Sequence, residues 1–425
     1  MTRLASVLAV LAAALPASAQ TFSQRGFVEG TGIVYFQPAP VDGRQLIGEA
    51  LFRQEASWTP VAWLSLAGAF DARAATDDRV DPDWRFDCAD RGLKRPAACV
   101  RRLSVSFRRG GLTVEAGKQF VRWGKVDILN PTDRFAPRDL LDVIDNDFLA
   151  VSAARLTYER GPNTIDLVWS PRFTPSRLPL ADGRWATAPP ESLTASPTAG
   201  AAAGTPALPV VDLGTVYPSR SQAGVRWNHV ASGFEYSLSI YDGFDHLPRI
   251  DASVNQVLGR VELRRLYPVM RMVGGDIVWP LRWFTVKAEA GYFWTTDDRT
   301  DDYGSYVIQL ERQSGEWLFV GGYAGEFVTE RRTAGDAPLG SFERGMTKSF
   351  LGRGLYTIDV NRSLTFEGGV RQDGRGYYGK AAYSQLLGRH WRATMRGDLI
   401  GGEAGDFLGQ YRRNSSVRIT IRYSY

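Results

Sequence analysis

The last residues of the chain, Val417 to Tyr425, leave little freedom in what it can become. Val417, Ile419, Ile421, Tyr423 and Tyr425 alternate with Arg418, Thr420, Arg422 and Ser424. Side chains on a strand have a period of two, so this stretch makes one apolar ribbon and one basic, hydroxylated ribbon. Such a strand divides an apolar medium from a wet one. It fits the edge of a soluble sandwich, or the wall of a closed barrel with lipid outside and water inside.

The other end of the chain favours the barrel. Met1 to Arg3 is a short basic head, residues 4–15 are apolar, and Ala17-Ser18-Ala19 before Gln20 is a small-residue cleavage site. This predicts a signal peptide over 1–19 and a mature domain over 20–425. No later run approaches the roughly 18 continuous apolar residues a helical span needs. An exported membrane chain without helical spans must cross as a closed barrel, because lipid satisfies no backbone polar group. The expected fold is all-β, a transmembrane antiparallel up-and-down barrel in the outer membrane of a Gram-negative cell. Its neighbours would be membrane lipid and lipopolysaccharide, and Tyr423 and Tyr425 would form the terminal signal read by the assembly machinery.

Composition fits the same reading. The chain has 44 Gly, 12 Trp, 17 Tyr and 21 Phe against 2 Cys and 5 Met, as expected where alternate residues meet lipid and aromatics form interfacial girdles. Loss of Arg3 with the leader takes the balance from +5 to +4. Charge is spread in short alternating segments, which excludes a nucleic-acid partner.

Tight turns are predicted at Thr59-Pro60, Arg109 to Gly111, Gly161 to Asn163, Ala231 to Gly233, Pro280 to Arg282, Ser314 to Glu316, Asn361 to Ser363 and Gly388-Arg389. Long excursions alternate with them near 39–43, 73–99, 122–149, 171–219, 244–268, 296–302, 330–346, 372–376 and 402–414. Eight inner turns and nine outer loops give about 18 strands with both termini in the periplasm, with 260–268 either a strand or a loop limb. The first strand is expected to begin near Gly26, which would leave no room for a plug domain.

The polar faces are rich in arginine. The alternation points Arg53, Arg102, Arg108, Arg155, Arg226, Lys287, Arg371, Arg392, Arg396, Arg418 and Arg422 inward, with Glu49, Glu55, Glu115, Glu235, Glu289, Glu311, Glu367 and Asp398 among them. Two readings fit: cross-strand ion pairs that hold the wall open, or a transverse field that orients or filters charged solutes.

The loop after the fifth strand differs in kind. Between Gly117 and Asp139 it carries Arg122, Trp123, Lys125, Asp127, Asp133, Arg134, Arg138 and Asp139 among the fixed turns of Asn130-Pro131 and Ala136-Pro137. Dense mixed charge on a stiffened backbone suits a segment folded into the lumen as a constriction. A latch against the wall and a substrate-binding loop are the alternatives.

The run Gly117-Lys118-Gln119, Trp123-Gly124-Lys125, Asp127, Asn130-Pro131, Asp133 and Pro137-Arg138-Asp139, together with Tyr267 to Asp276 leading into a Trp-rich hairpin, resembles a group of Gram-negative outer-membrane porin-like proteins. That group is similar in layout to the alginate-export barrels. The resemblance implies a barrel channel, and, if it extended to the exporters, lumen arginines that serve an anionic polymer.

Cys88 and Cys99, both in the second long loop, suggest a local disulfide; no His or third Cys lies nearby to make a metal site. Residues 195–209, rich in Ala, Pro, Thr, Ser and Gly, cannot bury a core. His229, His246 and His390 have no matching nucleophile pattern, so neither catalysis nor a cofactor is expected. The function expected is a monomeric or trimeric porin-like channel passing small polar or anionic solutes passively. An export conduit for an anionic polymer or lipid and a non-conducting display barrel are the rivals.

Overall fold

The computed structural model describes residues 21–86, 90–186, 210–332 and 342–425. The predicted signal peptide and Cys88 lie outside them. Eighteen antiparallel strands form a ring: β1 (Thr21–Tyr35), β2 (Leu46–Val61), β3 (Leu64–Ala75), β4 (Arg95–Arg109), β5 (Leu112–Gln119), β6 (Val151–Arg160), β7 (Asn163–Ser170), β8 (Gln222–Ala231), β9 (Phe234–Phe244), β10 (Val269–Pro280), β11 (Thr285–Trp294), β12 (Asp302–Ser314), β13 (Trp317–Glu330), β14 (Ser349–Asp359), β15 (Arg362–Arg371), β16 (Gly376–Leu387), β17 (Trp391–Gly402) and β18 (Ser416–Ser424). Each pairs with its neighbour in sequence, and β18 returns to β1 from Phe27↔Ser424 to Tyr35↔Ser416. Closure removes the edges of the ring.

The period-two pattern places the side chains as expected. Ile419 and Ile421 are exposed on the outside while Arg418, just before them, is buried and Thr420 between them is half-buried. Val28, Leu238, Ile240, Val273, Ile308, Leu310 and Leu399 continue the outer apolar band. Gly110, Gly161, Gly315 and Gly388 have φ of 57°, 57°, 57° and 69°, which lets short hairpins follow the strand twist. The first hairpin differs from expectation. β2 runs past Pro60 through a register shift between Trp58 and Val61, and the turn falls at Ala62-Trp63. A proline lacks the ladder N–H and is tolerated at such an irregularity.

Three outer loops carry strands outside the ring, and the segment after β5 carries a short pair, Arg138–Asp139 with Asp147–Phe148. Val80–Arg85 lies parallel to the start of β4, so the second long loop is shorter than expected and Cys99 stands on a strand. Val210–Val216, Arg260–Leu266 and Arg249–Asn255 form a separate three-stranded sheet, which makes 260–266 a loop limb.

The ring encloses two apolar clusters built partly from wall and partly from loops. One joins Val121, Trp123 and Phe135 to Val168, Tyr241, Met272 and Phe293. The other joins Val126, Leu129 and Val143 to Trp185, Val307, Leu351, Phe407 and Tyr411. Residues 120–150 contribute to both, so apolar burial ties this segment to opposite sectors of the wall.

Candidate functional site

Segment 120–150 leaves β5 and lies against inward-facing side chains. Its first half meets β8 to β12. Glu289 on β11, 2% exposed, accepts from the backbone and hydroxyl of Thr132 (2.8 Å each) and from the backbone of Lys125 (3.1 Å). No ion pair of Glu289 is formed among the described residues, so this buried carboxyl is satisfied by hydrogen bonds from the segment. Asp127 accepts from Lys287 (2.9 Å) and Gln309 (2.6 Å), and its own N–H returns to Gln309 at 2.9 Å. Lys125 donates to Asn228 at 3.0 Å and pairs with Glu235.

Two wall glycines make the approach possible. A Cβ on Gly224 would stand 2.7 Å from Trp123 and 2.8 Å from Phe135, and one on Gly322 would stand 3.0 Å from Ile128. Trp123 and Phe135 pack edge to face at 5.4 Å, with Phe135 against Tyr241 at 5.1 Å.

The second half of the segment crosses to β16, β17 and β18. Arg418 reaches Asp142 and Asp145 at 2.7 Å each and Asp398 at 3.1 Å. Asp145 also meets Arg396 (2.5 Å) and Lys380 (3.4 Å). Asp139 is held by Arg95 and Arg177, both at 2.9 Å, and Asp147 by Arg101 at 2.8 Å. Burial alone would raise the carboxyls of Asp139 and Asp145. The guanidiniums override it: Arg95 and Arg177 hold Asp139, and Arg418, Arg396 and then Lys380 hold Asp145, well below the usual carboxylate range.

Not every expected residue acts where its charge suggested. Asp133 meets no wall arginine in these contacts; it clamps the segment's own turn, accepting from Trp123 N–H (2.5 Å), Gly124 N–H (2.7 Å) and Arg122 (3.2 Å). The guanidinium of Arg134 lies over Phe293 at 5.0 Å, and its carbonyl faces the ring of His246 at 2.9 Å. His246, buried and stacked on Phe173, also faces the Thr174 carbonyl, so it bridges two loops. Arg122 and Arg138 both lie over the Phe148 ring, at 4.1 and 4.3 Å from its centroid.

The expected inward residues carry the wall pairs. Arg53 binds Asp71 (2.7 Å), Arg102 binds Glu115 (3.0 Å), Arg226 binds Asp276 (2.9 Å), Arg371 binds Asp406 (3.0 Å) and Lys380 binds Glu367 (3.3 Å). Arg422 pairs with Glu29 at 2.5 Å, and Arg392 is exposed. Missed by the sequence reading were Arg101, Asp142, Asp145, Lys380 and Arg73, which pairs with Asp71 at 2.7 Å. Arg101 escaped because a register shift between Ala69 and Phe70 turns it inward beside Arg102, against strict alternation. Cys99 is half-buried on β4.

These pairs are layered. Arg122 is 46% exposed over an Asp133 that is 2% exposed, and Arg53, Arg155, Arg396 and Arg422 likewise stand in front of Asp71, Asp166, Asp398 and Glu29. Lysine pairs run the other way: Asp127 and Glu311 are more exposed than Lys287, Glu235 than Lys125, and Glu367 than Lys380. In these pairs the more exposed partner is a guanidinium on β17, β18, β2 and β6 and a carboxylate on β9, β12 and β15, while Asp145 and Asp147 of the segment stand in front of Arg396 and Arg101.

No family model and no curated protein matches this chain. Solved structures do. A BenF-like porin from Pseudomonas fluorescens Pf-5 superposes with a TM-score of 0.54 at 9% identity, covering 96% of this chain and 98% of the other. The fold is that of outer-membrane porins. OpdQ of Pseudomonas aeruginosa gives 0.51 at 9% identity over 96% and 98%, and Pseudomonas aeruginosa OpdK, solved with vanillate, gives 0.50 at 9% over 95% and 98%. At such identities the likeness extends to the fold.

Proposed function

We propose that this chain is an outer-membrane channel, exported by residues 1–19, that passes small polar or anionic solutes down their gradient, with segment 120–150 as its constriction. The layering of charge carries the reading. Arginines in front of buried carboxylates on one half of the ring, and carboxylates in front of lysines on another, create a transverse field across the water path. A solute with a negative group and a polar body is turned and led along the arginine side. Vanillate, which accompanies OpdK, has that chemistry. A porin-like fold is typically non-enzymatic, and we assign no catalysis. An anionic polymer is a weaker fit, since it would require a segment tied to both walls to leave.

Planar-bilayer recording across a salt gradient tests the reading. Discrete channels with a reversal potential favouring anions are expected. Exchanging Arg102 and Arg155 for Glu should move the preference toward cations, and Glu235→Gln with Glu311→Gln should move it toward anions. Absence of conductance would favour a display barrel, and unchanged selectivity in both sets would remove the transverse field.

A further inference from the structure

A charged cluster stands on the outer wall at the upper ends of β8 to β10. Asp242 points outward above Leu238 and Ile240 of the apolar band, directly across from Arg271 on β10. Arg271 donates its Nε to Asp242 at 3.2 Å, and Arg220, just before β8, donates both terminal nitrogens to the same carboxylate, one of them at 3.3 Å. All three are nearly half exposed: 46% for Arg220, 43% for Asp242 and 47% for Arg271. Two guanidiniums on one carboxylate leave one positive charge. The pairing rows continue to Trp169 on one side and Trp294 on the other, aromatics of the kind found at a membrane interface.

We propose that Arg220 and Arg271 bind a phosphate of an outer-leaflet lipid headgroup, with Asp242 positioning both guanidiniums. Arg271 gives only its Nε to Asp242, so its terminal N–H groups are available for the paired hydrogen bonds a phosphate takes from a guanidinium. The outward direction, the apolar band below and the flanking tryptophans favour a lipid-borne phosphate over a free one. This inference rests on the outer-membrane reading and is independent of conduction.

The full-length mature chain, refolded in phosphatidylcholine vesicles, would be titrated with bis-phosphorylated lipid A and bound lipid counted by native mass spectrometry. The double variant R220A/R271A should bind about tenfold more weakly, while R282A near the opposite rim binds as wild type does. Lipid A stripped of phosphate should bind wild type as weakly as the double variant, and excess inorganic phosphate should not displace the intact lipid. Unchanged binding by the double variant overturns the proposal, and displacement by inorganic phosphate at lipid concentrations would make this a free-anion site and overturn the lipid assignment. The single variants serve if the double variant does not fold. Single-channel conductance of the variants should equal wild type, so loss of lipid binding is separable from failure of the channel reading.

Discussion

Residues 120–150 and residues 210–216 with 249–266 are both outer excursions rich in charge, yet one lies in the ring and the other stands away from it. The outer sheet pairs its charges locally and in the open: Arg260 with Glu262 at 2.7 Å, Arg265 with Asp212 at 2.7 Å. Arg265 and Asp212 are 29% and 50% exposed. The inner segment pairs with distant parts of the chain, as Asp142 does with Arg418 and Thr132 with Glu289, and those partners are buried. Charge density alone does not decide where a loop goes. An inward loop needs a wall that holds the complementary groups in place.

The comparison is broken most directly by removing one arginine from each region. Arg418→Met leaves buried Asp142 without its arginine and takes from buried Asp398 one of two, Arg396 remaining. It is expected to cost about 3–5 kcal/mol, whereas Arg265→Met, acting on an exposed pair, is expected to cost less than about 1 kcal/mol. Denaturant unfolding of the vesicle-inserted protein reads both. Equal losses would mean that the inner segment is no more dependent on the wall than the outer sheet is.

The strand pattern was legible because lipid and water impose a period of two on every strand, and the short turns carry their own glycines. The inner segment was legible in its first half, where Asn130-Pro131 and Ala136-Pro137 fix the backbone among Lys125, Asp127 and Asp133. Its second half was not. Leu140-Leu141-Asp142-Val143-Ile144-Asp145 has no turn signature, and what holds Asp142 and Asp145 is a set of cations on β16 to β18, far away in sequence. Alternation could place Glu289 on the inner face, yet the backbone donors it satisfies belong to residues more than 150 positions earlier. The placement of Arg101 depended on a bulge, which no periodicity encodes.

Glu289→Ala sharpens the comparison within the inner segment. It deletes the acceptor of Thr132 and Lys125 while leaving the arginine-held half intact. A loss of about 2–3 kcal/mol is expected, together with larger and noisier single-channel conductance, because three buried donors lose their carboxyl acceptor. Conductance indistinguishable from wild type would mean that the apolar packing of Trp123 and Phe135 is sufficient to hold that half.

Acid provides the mildest test. The carboxyls of Asp139 and Asp145 lie well below their usual range, so the stabilisation they give is complete above the unfolded value of about 4 and is lost only as pH falls toward the folded value. Residues 139–145 should therefore stay seated from pH 8 to about pH 5, with thiol reagent access to cysteines placed at 143 and 144 growing only below about pH 4. Asp212 in the outer sheet is also lowered, first by the Arg265 hydrogen bond and then by the Gly214 N–H. Being exposed, its titration should leave conductance unaffected. Access at 143 and 144 that grew between pH 6 and pH 5 would mean that the buried guanidiniums do not hold these carboxyls in the charged form, and the contrast between inner and outer charge would fail at its electrostatic root.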